Sequence, residues 1–312
     1  MRTATLALLT SVTIGWFSTA QAADLDYGVL RGPDYEPVSA EIDWNGFYFG
    51  AHAGYTSASL NQEKAFKNVL ADNFRVRDIE SQFGVSSFLV MPSARVDGTS
   101  FGGFAGYNYQ FDEVVIGVEV DYTRFDKAGT STNEISRQLT TSAGMSEVVR
   151  LYGDSTTKIE DYGTIRARGG WVIGNFLPFV TGGIAIGRAV VNDQALVQNY
   201  GYDAKTYSAN QSSTSGSALA VYNHGYKTFN PNYPEVNSSP SGQRQTTPLP
   251  AVALTKGPSV KTVAGVTLGG GLEYALTQNI ILRGEYQYVL FDDFGGHTVN
   301  LNTVRGGAAV KF

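Results

Sequence analysis

The sequence predicts an all-β chain: an eight-stranded antiparallel up-and-down transmembrane β-barrel with long extracellular loops. Three observations carry this. Eight segments alternate apolar and polar side chains with a period of two, the period of a strand and not of a helix. The connections between them are short and long in strict turn, as in a meander whose long loops all lie at one end. The composition, 36 Gly, 18 Tyr and 17 Phe in 312 residues, favours strands.

The elements follow in chain order. Met1 and Arg2 precede a mostly apolar run from Ala4 to Phe17, and Ala20-Gln21-Ala22 offers a small-x-small cleavage site. Residues 1–22 therefore read as a secretory signal peptide, the run being shorter than the ~20 apolar residues of a spanning helix. Residues 23–43 are expected as a periplasmic lead-in, and 44–312 as the barrel domain. The first strand carries Phe47, Phe49, Ala51, Ala53 and Tyr55 on one face and Tyr48, Gly50, His52 and Gly54 on the other. The second, from Thr99, has Phe101, Gly103, Ala105, Tyr107 and Tyr109 on its apolar row, and a tight turn at Phe111-Asp112-Glu113 follows. The third sets Val114, Ile116, Val118, Val120 and Tyr122 against Gly117, Glu119, Asp121 and Thr123.

The fourth sets Ile165, Ala167, Gly169, Trp171 and Ile173 against Thr164, Arg166, Arg168 and Gly170. The fifth, "FVTGGIAIGRAVV", is strand-like, but its two rows are too alike for faces to be assigned. The sixth opposes Val266, Leu268, Gly270, Leu272 and Tyr274 to Thr267, Gly269, Gly271 and Glu273; the seventh opposes Ile280, Leu282, Gly284, Tyr286 and Tyr288 to Arg283, Glu285 and Gln287. The last opposes Val304, Gly306, Ala308, Val310 and Phe312 to Arg305, Gly307, Ala309 and Lys311. The long connections are expected at roughly 60–97, 126–160, 192–260 and 290–298.

Composition excludes several classes. The formal net charge is −5, and loss of Arg2 with the signal makes it more negative, which argues against nucleic-acid binding. With no Cys, neither disulfides nor thiolate metal sites are available. No continuous apolar window long enough for a transmembrane helix follows the signal.

Each strand alone also fits a soluble barrel with its apolar row inward. Two features favour the reverse. Aromatics sit near strand ends (Phe47, Tyr55, Tyr107, Tyr109, Tyr122, Trp171, Tyr274, Tyr286, Tyr288 and Phe312), as in the girdles at the two membrane interfaces. The polar rows are rich in Gly and balanced in charge, which suits a crowded lumen. Counting from the turns puts Glu119 level with Arg168 and Asp121 level with Arg166, while Glu273 and Arg283 flank the turn at Thr277–Asn279. With Glu285 and Arg305 these form the expected lumen charge network, since opposite charges on neighbouring strands can pair.

The segments "WNGFYFGAHAGY", "FGGFAGYNYQF", "TIRARGGWV", "LPFVTGGIAIG", "VTLGGGLEYAL" and "LRGEYQYV" resemble the small outer-membrane proteins of alphaproteobacteria, OmpA-like β-barrel domains often labelled porin-family proteins. The likeness covers the eight strands, about half the chain. It implies residence in the cell outer membrane of a Gram-negative envelope. Phe312 is similar to the C-terminal signal that the outer-membrane assembly machinery reads. Members are described as envelope-stabilising surface proteins, antigens, adhesins and in some cases haem binders. The chain departs from minimal members in its longer first and third loops. No peptidoglycan-binding domain is expected after Phe312, so the resemblance does not imply wall attachment.

No catalytic, cofactor-binding or metal-binding residues are expected, and the chain reads as no enzyme. His52, His224 and His297 fall in the first strand, third loop and fourth loop, and nothing in the sequence clusters them as metal ligands require. "LGGGLEY" has no following helix to make a phosphate cradle. A twelve-stranded outer-membrane phospholipase needs more strands than the sequence offers. In "NQEKAFKNVLADNF", Phe66, Val69, Leu70 and Phe74 fall at helical spacing; a short helix at the mouth and an irregular loop or strand extension both remain open. The third loop, with Pro231, Pro234, Pro240, Pro248 and Pro250, reads as a mobile surface segment. Two function classes follow. One is a plugged structural barrel whose loops meet a host or envelope ligand; the other is a small-solute porin or a haem- or ligand-binding receptor. The strand count favours the first, because an aqueous channel needs about 16 strands.

Overall fold

Eight long strands close into a ring. The structure, a computed structural model, describes residues 42–312 apart from Ser215; the expected signal peptide and nearly all of the lead-in lie outside the described residues. The strands are β1 (Gly46–Asn61), β2 (Ala94–Phe111), β3 (Val114–Thr140), β4 (Met145–Trp171), β5 (Phe176–Asp203), β6 (Val252–Ala275), β7 (Ile280–Phe291) and β8 (Thr298–Lys311). Each pairs antiparallel with its neighbours, and β8 returns to β1 with Gly306 opposite Ala53. Closure leaves no strand edge in the spanning region, as hydrocarbon demands.

Parity decides inside from outside. Val120, Ile165, Ile184 and Val266 lie side by side across β3–β6 and point outward, each between 52 % and 56 % exposed. Glu119 and Asp121, on the other parity of β3, are 1 % and 5 % exposed. The acids are inside and the apolar row faces lipid. The fifth strand resolves in the same way: Leu177, Phe179, Thr181 and Ala185 are buried within, while Val180, Ile184 and Ile186 are exposed. The expected girdle residues Phe47, Tyr55, Tyr122, Trp171 and Phe312 are exposed, and Phe312 stacks on Phe49 with ring centroids 5.4 Å apart.

The long connections differ from expectation. Residues 126–160 form a hairpin, because β3 and β4 run on to a turn at residues 141–144; β5 and β6 are lengthened likewise. Beyond the hydrocarbon no lipid-facing row is required, so Thr130, Thr132, Asn133 and Thr156 follow no alternation that a sequence pattern could register. Pairing of β2 with β3 stops at Phe101 opposite Arg124, and pairing of β7 with β6 stops at Phe291 opposite Gly265. From there β3-β4-β5-β6 continue as a four-stranded sheet, while β2 parts from β3 and stays paired with β1 as far as Ala94.

The first loop folds onto the inner face of this sheet. Helix α1 (Lys67–Phe74) fulfils the helical reading of that segment, and a second helix, α2 (Asp78–Phe83), ends on Gly84 in the left-handed conformation, φ 63°. Phe66, Leu70, Phe74, Ile79 and Leu89 bury themselves against Val149, Leu151 and Val197. The third loop opens with α3 (Ala204–Ser212), whose N-terminus is capped by the Asp203 carboxylate accepting from the Thr206 N–H at 2.9 Å.

Candidate functional site

The lumen is filled in three layers. Nearest the short turns, Trp44, Tyr48, Phe104, Val115, Leu177, Ala275 and Ile281 form an apolar base. Above it lie all eight residues expected in the charge network, each buried. Higher still, Leu60, Phe125, Ile159, Tyr162, Val263, Val289, Phe291 and Leu301 form an apolar cap. The expected polar lumen is thus polar only in its middle. On β1 the change shows along one inward row, from His52 and Thr56 to Ala58 and Leu60.

Within the ionic layer the neighbours differ from the expected ones. Glu119 stands opposite Arg166, with Arg168 two residues off the register and 3.6 Å away, and Asp121 stands opposite Thr164. Counting from two different turns ignored the stagger between tilted strands, which slips the register by two residues and so preserves the face. Glu119 accepts from Arg166 and, at 2.6 Å, from Arg283. Arg168 reaches Glu273 at 2.7 Å, and Glu273 lies directly opposite Arg283, as the shared turn foretold. Asp121 takes Arg305 at 2.8 Å and His52 at 3.0 Å. Glu285 bridges Arg166 and Arg305. Tyr48 joins the layer by donating its hydroxyl to Glu119 at 2.8 Å. Tyr48 and the aromatics Phe104 and Phe179 also contribute faces to the guanidiniums, with Arg283 4.2 Å from the Phe104 ring centroid. Burying eight charges is tolerable only because each is matched.

The fourth loop closes the mouth. His297 is fully buried, with Nδ1 2.9 Å from the Thr157 hydroxyl and Nε2 3.1 Å from the Asp193 carboxylate. Asp193 also accepts from the Ser155 hydroxyl at 2.6 Å. Gly296, at φ 90°, lets the loop press against the first loop, for a Cβ there would meet the Lys64 carbonyl at 2.3 Å. His52, His224 and His297 lie in separate environments. Among the described residues no group of three or more His, Cys, Asp and Glu is placed to hold a metal ion.

Above the mouth, α1, α2, the rising sheet and the third loop enclose a cleft of about 750 Å³. Phe74, Ile79 and Val197 give it an apolar floor; Arg77, Glu147, Asn199 and His224 give it a polar wall. Arg77 donates to Asn199 at 2.5 Å, Asn199 to Glu147 at 3.0 Å, and His224 lies 2.8 Å from Glu147. Burial works to raise the Glu147 carboxyl, but the hydrogen bond and charge of His224 prevail and hold it below the usual glutamate range. Further out the aromatics cluster, with Tyr200 5.3 Å from Tyr226 and Tyr226 5.2 Å from Phe229. The Arg77–Asn199–Glu147–His224 chain joins the first loop, β5, β4 and the third loop, and no local sequence pattern announces it.

The family described as outer membrane protein β-barrel domain matches residues 13–312. The chain is 28 % identical over 316 residues to the 31 kDa outer-membrane immunogenic protein of Brucella melitensis, covering 98 % of both chains, and equally to that of Brucella suis. Among solved structures, neisserial surface protein A aligns over 86 % of this chain and 98 % of its own, at 14 % identity and a TM-score of 0.30. The attachment invasion locus protein Ail of Yersinia pestis aligns over 86 % and 99 %, at 12 % identity and 0.28.

Proposed function

The chain belongs to the outer membrane protein β-barrel family and resides in the outer membrane, and from that premise we propose that it acts as a plugged structural barrel whose extracellular sheet and loops meet a host or envelope ligand. The observation that carries this reading is the layered filling of the lumen: two apolar layers enclose a matched ionic layer, against a conducting path. The material that a pore would not need is invested outside instead, in a sheet, three helices and an aromatic cluster. Tyr offers contact area at low entropic cost, and long ordered loops on a rigid scaffold are where binding surfaces usually lie. The Brucella relatives are called immunogenic, which supports exposure of such a surface. Catalysis has no part in this reading.

Planar-bilayer recording of the purified protein tests the plug, with no steady channel expected. Deleting residues 204–248 should leave a heat-modifiable barrel and abolish binding to surface ligands. A steady porin-sized conductance that survives the deletion would establish transport instead.

A further inference from the structure

A belt of six charged side chains lies on the outside of β3–β5, just beyond the apolar band. The register builds it. Tyr122, Gly163 and Ile186 form the last outward row of the band, and two residues further along, Arg124, Asp161 and Arg188 form the next. Two residues of strand advance about 7 Å, so this row stands where headgroups adjoin hydrocarbon. Two irregularities thicken the belt. A bulge between Arg124 and Lys127, with Asp126 at φ 55°, and a register shift between Ile159 and Asp161 turn Asp126 and Glu160 outward beside Lys158.

The opposite wall is built differently. At the same step beyond Tyr55 and Val304, the outward residues of β1 and β8 are Ser57, Ser59, Asn300 and Asn302, none of them charged. On β2, opposite Ser57 and Ser59, the outward residues Asp97 and Arg95 add one charge of each sign, so charge at this height is densest on the β3–β5 side.

Within the belt three cations alternate with three carboxylates, and each cation meets at least one of them. Arg188 meets Glu160 at 2.9 Å and Asp161 at 2.5 Å, and Lys158 meets Asp126 at 2.7 Å. Arg124 meets Asp126 at only 3.5 Å. The Arg124 and Arg188 side chains remain 58 % and 54 % exposed. Exposed ion pairs contribute little to stability, so stability does not account for three cations gathered here. Their position does: half-exposed guanidiniums at this height can meet a phosphate through N–H donors left free by their carboxylate partners. We propose that Arg124, Lys158 and Arg188 form a binding site for the phosphate of a lipid headgroup in the outer leaflet, whose acyl chains lie along the apolar band below.

The test uses the full chain refolded in neutral detergent, with native mass spectrometry and thermal unfolding as readouts. Diphosphoryl lipid A should bind saturably and raise the melting temperature; its dephosphorylated counterpart should do neither. Arg124→Gln with Arg188→Gln should weaken binding by about tenfold or more, with heat-modifiable migration verifying the fold, while Arg244→Gln in the third loop should leave it unchanged. Equal binding of the two lipids by the unaltered protein overturns the proposal whether or not the variants fold. So does a folded double variant that binds as tightly. Displacement of the lipid by inorganic phosphate at equal concentration would assign the site to a free anion and overturn the lipid source.

Discussion

Glu119 and Arg166 face each other across β3 and β4 with both side chains sealed from water. Removing one partner strands the other's charge in the lumen. Arg166→Ala should cost about 3–5 kcal/mol in a refolding titration, and adding Glu119→Gln should recover part of that loss. Arg168→Ala should cost less with respect to Glu119, which keeps Arg166 and Arg283. Simple additivity of Arg166→Ala and Glu119→Gln would show that the two are not coupled.

Phe74 belongs to a core separate from the ring. Phe74→Ala should destabilise the first-loop cluster by about 3–5 kcal/mol and leave the barrel heat-modifiable, because no barrel-layer residue packs in that cluster. Protease digestion of the first loop checks this. Loss of barrel folding together with the loop would mean that the two cores are one cooperative unit.

The tie between Glu147 and His224 has a defined pH dependence. A carboxyl held below the ordinary glutamate value of 4.5 in the folded protein stabilises fully above that value, and the contribution is lost as pH falls below it through the folded value. Hydrogen exchange at residues 223–226 should therefore accelerate, after correction for intrinsic rates, as pH falls below 4.5. Glu147→Gln should abolish the acceleration. A variant that loosens in acid like the parent would show that another group is responsible.

Exposed chain without regular structure is where proteases cut. On intact cells, cleavage is expected within residues 216–220, which are exposed between α3 and the first short strand of the third loop, whereas the β3–β4 hairpin should resist. Cutting at the periplasmic turns, such as that at Asp112, without rupture of the membrane would reverse the orientation.

Much of the barrel was legible because lipid imposes a rule on sequence. Parity separates Val114, Ile116, Val118, Val120 and Tyr122 from Glu119 and Asp121, and the aromatic girdles with the Gly-rich, charge-balanced rows turn the first set outward; the eight strands follow from the same alternation. Register was not legible, since stagger between Glu119 and Arg166 is a property of the closed ring and of no single turn. The height of β3 was missed for a related reason: Thr130 and Asn133 meet water on one face, and water tolerates what hydrocarbon forbids. Ala58 and Leu60 did carry the apolar cap in the sequence, on the inward row, where polarity was expected. The His297–Asp193 contact joins residues 104 apart in sequence and has no local pattern.

The ring of strands and the sheet that rises from it differ in one further respect. Past Arg124 on β3 and past Gly265 on β6, no strand pairs with the outer edge among the described residues. Peptide groups along those edges must be hydrated or otherwise bonded, and an acyl chain can offer them nothing. The protein therefore has a waterline written in its main chain, at the height where β2 and β7 turn away. It cannot sink further into the bilayer without drying those amides, and a membrane a few ångströms thicker would have to thin around it rather than draw it down.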